Sequence, residues 1–411
     1  MITTGVTGQL WRASVTPWGA VEPWGGTPSL NWYVAADDRW HLPADEPTVR
    51  QVRVEGTAVV ETRVRVPSGD VVQRVYTVAD GGGLTVVEIE NESTLPVAIA
   101  FDRRDVLTER PIVDMPIEGI ALPPGAFALP LGHRASLRVA IPHNESPDGQ
   151  GRGKRGGPLP TGLPTYTQVV NGWLSLTQRA SRFVLPEGDR WATLAERVTA
   201  ERCELVLGSI PRSEEDPAGF AIALGELVRI GENPDDWLPE LVSAVERVGP
   251  VFGWSEDAAL VAAARVLWAA GETRGRRDLR RISIGRSHSA RPASAPDGVR
   301  LVPWLETLVA DGDVLLPHGL PEAWLGHSVE TYGVPISDAT SVSLALRWHG
   351  ARPAVLWEQI GQPVNLTSPC AAGWSSNEAK GETLWPAPAT APVLLSNVSS
   401  ALPPASDLSF T

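Results

Sequence analysis

Apolar and polar side chains alternate in short runs over the first third of the chain. In residues 59–66, Val60, Thr62, Val64 and Val66 share one parity while Glu61, Arg63 and Arg65 share the other, which is the pattern of a strand with one face in a core. Pro67, Ser68, Gly69 and Asp70 then supply a turn. The next runs, 71–78 and 84–91, are joined by Asp80, Gly81, Gly82 and Gly83, which accept the positive φ of a tight connection. In the second run Val87 and Ile89 face inward and Glu88 and Glu90 face water. Further runs at 96–101, 127–131 and 136–141 make about seven or eight strands between residues 48 and 142. The pattern predicts an antiparallel β-sandwich over residues 1–142.

Residues 143–164 shift to Gly, Pro, Ser and charge, a composition too poor in apolar area to order itself, and read as a flexible linker. After it the period moves toward 3.6. Val169, Val170, Trp173 and Leu174 begin one helix, and Leu194, Val198, Cys203 and Val206 a second that Gly208 ends. A third starts with Asp216 as cap and Pro217 in the first turn, buries Phe220, Leu224, Leu227 and Val228, and stops at Gly231. Two more are expected at 239–248 and 255–270, which makes residues 165–272 an all-α region.

Residues 273–299 read as an Arg-rich linker: Arg274, Arg276, Arg277, Arg280, Arg281, Arg286, Arg291 and Arg300 stand against Glu272, Asp278 and Asp297. The alternative for 274–300 is a landing strip for an acidic partner or for the acidic remainder of the chain. From 300 to 398 β-like runs return. Val342, Leu344, Leu346 and Trp348 alternate with Ser343, Ala345 and Arg347, and a turn leads into 354–358, so a hairpin is expected with Trp348 in the core and Arg347 pairing with Glu330 or Glu358 at the surface. Residues 399–411 read as a frayed tail. The fold class expected is therefore multidomain β and α: an N-terminal antiparallel β-sandwich, a short all-α middle region and a C-terminal β-sandwich-like domain.

Composition changes this picture in four ways. A length of 411 residues with 43% hydrophobic and 20% charged side chains is that of a folded chain of two or three domains. A net charge of -13 without a long basic face argues against a nucleic-acid partner. Cys203 and Cys370 are the only cysteines, so neither a disulfide framework nor a four-cysteine metal site is possible, and the seven histidines have no metal-site spacing; no metal and no cofactor are expected. The apolar run 258–270 is too short for a bilayer and contains Arg265, so no membrane partner is expected, and a cytoplasmic location follows where residues 1–11 lack a leader pattern.

Sixteen tryptophans against six phenylalanines and four tyrosines suit cores, interfaces and sugar-stacking platforms alike. One cluster joins such rings to carboxylates: Trp18, Trp24, Trp32 and Trp40 with Asp37 and Asp38, beside Tyr33 and His41. Rings covering apolar sugar faces next to hydroxyl-accepting carboxylates make these six the candidate carbohydrate-binding residues, with core packing of the rings as the competing explanation. The other acidic pairs, Glu214 to Asp216, Asp235 with Asp236, and Glu256 with Asp257, are explained as helix starts. There is no Gly-x-Ser-x-Gly elbow, and no catalytic residue is assigned.

The order of sandwich, helices and second β domain resembles the layout of glycosidases and glycoside phosphorylases built around a barrel of paired helices. The stretch Leu315-Leu316-Pro317, Glu330, then Arg347-Trp348-His349-Gly350 and Arg352-Pro353-Ala354-Val355-Leu356-Trp357-Glu358 looks like an accessory β domain of that clan. The enzymes take their acid and base carboxylates from a twelve-helix barrel, which cannot fit in the roughly 110 residues between the β regions. The resemblance thus implies a non-catalytic carbohydrate-associated protein that binds an oligosaccharide or polysaccharide through Trp-rich surfaces. Two alternatives stay open, a protein-interaction or assembly subunit with a protein partner, and a glycoside hydrolase-like enzyme using a carboxylate pair.

Overall fold

A computed structural model describes residues 1–113, 116–143, 156–188, 190–284 and 289–388. The chain is of mixed β and α content, with β-sheets at both ends and helices between them, and divides into two compact units: residues 1–182 with 193–305, and residues 183–192 with 306–411.

In the first unit the alternating runs become strands where expected. Five short strands, β1 (Ile2–Gly5), β2 (Arg12–Val15), β3 (Val21–Pro23), β4 (Trp32–Ala35) and β5 (Trp40–His41), precede the long ones. Next come β6 (Arg50–Arg53), β7 (Val60–Val66), β8 (Gly69–Val78), β9 (Leu84–Asn91) and β10 (Val97–Phe101). β11 (Leu107–Thr108), β12 (Phe127–Leu131), β13 (Ser136–Pro142) and β14 (Gly157–Pro158) complete the set. They form a seven-stranded sheet in the order β14-β11-β13-β9-β8-β7-β6, a four-stranded sheet β12-β10-β4-β5 and a three-stranded sheet β1-β2-β3. One apolar cluster joins all three: Val60, Val64, Val75 and Ile89 of the large sheet meet Val15, Val34, Ile99 and Phe127 of the others, which is the interior of a sandwich.

The other face of the large sheet is covered too. Tyr76, Val78, Leu84 and Val86 pack against Leu159, Leu163 and Val170, the last on α1 (Tyr166–Thr177), so residues 71–78 are buried without interruption. A row of alternating charge crosses the part of this face nearer the opposite end of the strands. Glu61, Arg74, Glu88 and Arg138 are direct register partners on four adjacent strands, and Arg74 also lies 4.4 Å from the Tyr166 ring.

The linker reading fails over 156–164, where β14 pairs in parallel with β11 and Leu159 and Leu163 are buried; residues 144–155 lie outside the described ones.

The five expected helices are present as α1, α2 (Arg190–Val206), α3 (Pro217–Ile230), α4 (Leu238–Val248) and α5 (Trp254–Ala269). Asp216 caps α3 by accepting from the Gly219 N–H at 2.9 Å, and Arg300 clamps the same carboxylate. The sandwich and the helices are not separate domains, because Trp173 of α1, Cys203 of α2, Leu207 and Ala58 share one buried cluster. A sixth helix, α6 (Thr273–Ser283), takes up the first part of the expected Arg-rich linker, 273–299; Leu279 is its buried anchor. A seventh, α7 (Leu301–Val309), occupies the run expected to be strand.

The helical layer is tied together by one ion cluster. Glu226 of α3 accepts from Arg202 of α2 at 3.0 Å and from Arg229, one turn along, at 2.5 Å, while Arg202 also donates to the Ser181 carbonyl at 2.6 Å and hydroxyl at 2.7 Å. Burial opposes ionisation of Glu226, but Arg229, Arg202 and Arg265 outweigh it and hold the carboxyl well below the usual carboxylate range.

The second unit contains a five-stranded sheet and a four-stranded one. The first has the order β15 (Arg182–Val184), β18 (Val329–Pro335), β19 (Ser341–His349), β20 (Arg352–Ile360) and β23 (Lys380–Leu384). The second comprises β16 (Ala310–Asp311), β17 (Val314–Leu315), β21 (Leu366–Thr367) and β22 (Ser375–Ser376). The expected hairpin is β19–β20, and Arg347 pairs with Glu330 at the surface. Trp348 differs from expectation: it is half-buried and donates its indole N–H to the His327 carbonyl at 2.8 Å. Much of the tryptophan excess is core here, with Trp324 and Trp385 buried and Trp357, Trp374 and Trp385 stacked edge to face at 5.3 Å. The tail at 399–411 lies outside the described residues.

Candidate functional site

The six residues singled out as a sugar site do not converge on one surface. Trp32 is 2% exposed and lies in the sandwich interior, donating its N–H to the Trp18 carbonyl at 3.0 Å. Trp18 and Trp24 are exposed but sit at opposite ends of the β2–β3 hairpin: Trp18 is in the turn beyond the Val15 and Val21 pair, and Trp24 follows the Ala13 and Pro23 pair. Trp24 donates to the Ser14 hydroxyl at 3.0 Å and stands under the Arg12 guanidinium. On another hairpin, β4–β5, Trp40 is half-buried with its N–H on the Glu118 carbonyl at 2.8 Å. Asp37 and Asp38 are exposed, and Asp38 bonds to His41, whose second ring nitrogen meets Glu46 at 3.0 Å. Desolvation works against it, yet the His41 hydrogen bond and charge together with local backbone N–H groups hold the Asp38 carboxyl below its ordinary value. The Asp38 carboxylate is thus engaged with a local partner.

The first unit instead carries an open surface cavity of about 520 Å³ elsewhere. Three segments far apart in sequence make its wall: the end of β1 with Val6 and Thr7, the end of β8 with Ala79 and Asp80, and the approach to α1 with the helix itself. Each is where it is for a local reason. Gly81, Gly82 and Gly83, with φ of 63°, 82° and 93°, turn the chain from β8 into β9 and leave Asp80 at the rim. Thr165 and Gln168 cap α1 reciprocally, the Gln168 carbonyl oxygen accepting from the Thr165 N–H at 2.9 Å, and Gln168 is part of the cavity wall. Gly172, in the middle of α1, has open space where a side chain would stand, and Trp173 beside it closes the wall.

The polar groups of this lining are the hydroxyls of Thr7 and Thr77, the amide of Gln168 and the carboxylate of Asp80, with no Lys or Arg among the described lining residues. Thr77 continues inward as a hydrogen-bonded chain: Thr4 at 3.4 Å on one side, Thr85 at 3.2 Å on the other, and His143 at 2.6 Å from Thr85. Burial pushes the His143 imidazole down to about 4, so near neutral pH the chain ends in an uncharged ring.

Close to the rim, the Trp11 ring rests on Gly83 so tightly that any Cβ there would overlap it. Gly83→Ala combines that overlap with a left-handed φ and is expected to destabilise the protein by about 1–3 kcal/mol, readable as a lowered melting temperature.

One carboxyl raised by burial lies outside this cavity. Burial pushes Glu88 above its ordinary range against the pull of Tyr76, Arg74 and Arg138, but Glu88 belongs to the cross-strand ion row. Sequence reasoning missed Asp80, Thr77 and Trp173 because each had a complete local explanation, as a turn, a strand residue and a helix face. The one available signal was Gly172 in the interior of a helical pattern next to tryptophan, a residue that weakens a helix unless its missing side chain is needed. No cluster of His, Cys, Asp and Glu among the described residues has metal-site geometry, and no described helix is long and apolar enough to cross a membrane.

No protein-family model matches the chain, and no curated protein matches it.

Proposed function

We propose that the protein is a non-catalytic carbohydrate-associated protein whose cavity beside α1 takes one or two rings of a neutral saccharide. The observation that carries this reading is the chemistry of the lining: an indole, two hydroxyls, an amide and a single carboxylate, without a cation to attract phosphate or a carboxylate ligand. Asp80 accepts sugar hydroxyl protons, Gln168 donates, and Trp173 supplies apolar wall. Hydrolysis of a glycosidic bond needs two carboxyl groups flanking the bond. With Asp80 alone among the described lining residues, binding is better supported than cleavage.

The test is calorimetry against a panel of mono- and disaccharides. Gly172→Leu fills the open space in the wall and, by removing a helical glycine, should raise helix stability by up to about 1 kcal/mol. Its expected signature is lost binding with an unchanged or higher melting temperature. Asp80→Asn should weaken binding about tenfold, the worth of a hydrogen bond to a charged acceptor. A panel without heat, or binding that survives Gly172→Leu, would overturn the proposal.

A further inference from the structure

Charge is distributed unevenly over this acidic chain. α6 holds Arg274, Arg276, Arg277, Arg280 and Arg281 against Asp278, in a protein whose net charge is -13. The helix is attached by its apolar side: Gly275 lies against Leu267, Leu279 is buried, and Ile282 reaches the Gly249 backbone at the end of α4. That seating turns Arg274, Arg277 and Arg281, which recur at helical spacing, toward water, where all three are exposed. Arg281 pairs with Asp278 one turn away at 3.0 Å, while the arginines three and four residues apart repel one another.

Apolar side chains protrude at the C-terminal end of the same helix. Ile284 is 78% exposed and Ile282 37%, and the loop that follows Gly249 presents Val251 at 49% and Phe252 at 68%. The Gly249 and Ile282 contact places this loop beside the end of α6. Protruding side chains of this exposure are not the walls of a groove that would receive a protein helix. A cationic face next to an apolar tip has the chemistry of an anionic phospholipid surface, with arginines on the headgroup phosphates and Phe252 and Ile284 at the acyl boundary.

We propose that α6 and the Val251 and Phe252 loop attach the protein peripherally to an anionic bilayer. The attachment is interfacial and needs no spanning segment. The acidic remainder of the chain does not prevent it, because charges farther than about 8–10 Å are screened at physiological salt.

Co-sedimentation of the full chain with vesicles decides the matter. Binding is expected to vesicles of phosphatidylcholine containing phosphatidylglycerol, not to phosphatidylcholine alone, and to weaken with added salt. Each arginine removed should weaken it roughly fivefold, so Arg274→Ala with Arg277→Ala should cost about 25-fold. Phe252→Ser should cost about tenfold more. Unchanged melting temperatures would show that these surface variants remain folded. Equal binding to both vesicle types, no binding to either, or wild-type affinity in the double arginine variant would overturn the proposal. So would binding to polyglutamate in the absence of vesicle binding, which would make the surface a docking site for an acidic protein.

Discussion

Glu226→Ala is expected to destabilise the protein by about 3–5 kcal/mol, measured as a shift in the urea midpoint at constant slope. The carboxylate is 3% exposed and neutralises Arg202, itself 2% exposed, together with Arg229. Removing it leaves the buried Arg202 and the half-buried Arg229 without their shared carboxylate, and the penalty is that of uncompensated charge more than of the lost hydrogen bonds. The pH dependence follows from the direction of the shift. The folded carboxyl titrates below its unfolded value, so its contribution is complete above the ordinary carboxylate range and is lost as pH falls through the folded value. Glu226→Ala should therefore show a shallower loss of stability on acidification than the wild type. An equal acid slope in both would remove Glu226 from the account.

Trp32→Ala is expected to cost about 3–5 kcal/mol as well, for a different reason. The ring is 2% exposed in the sandwich core, sits opposite Phe101 in register and donates to the Trp18 carbonyl at 3.0 Å. Truncation opens a cavity that the flanking strands cannot close. If Trp32 were instead a sugar platform, the variant would melt near the wild type and lose ligand. The expected outcome is a large drop in melting temperature, with calorimetric saccharide affinity at the α1 cavity unchanged where the variant stays folded.

The parts of the fold that were legible in the sequence are those where one local signal had one explanation. β7 alternates without a break, and Asp216 followed by Pro217 marks the start of α3 to the residue. The β19–β20 hairpin followed from alternation and a turn. α6 was hidden because five arginines left Gly275 and Leu279 as the only trace of a buried side. α7 is apolar on most sides, and a short apolar run does not separate helix from strand by period. The first five strands have two to four residues each, too few for a period to register.

The candidate cavity was illegible for another reason. Its walls come from residues 5–7, 77–80 and 162–176, which meet only through the pairing of distant strands and the docking of α1. Trp32 reaches the Trp18 carbonyl from the core, but Trp18 and Trp24 lie at opposite ends of the β2–β3 hairpin and Trp40 on another hairpin, so the four are close in sequence without forming one face. Proximity along the chain was a poor guide to proximity of rings.

Strand β8 is enclosed on both sides, by the sandwich interior and by α1 with its preceding segment. Residues 71–78 accordingly have no position at which a side chain answers to water alone, whereas Arg65 on neighbouring β7 is exposed. Mutational tolerance should be lowest along β8, and a library aimed at altering this protein without unfolding it should begin at the outer strands and leave that one untouched.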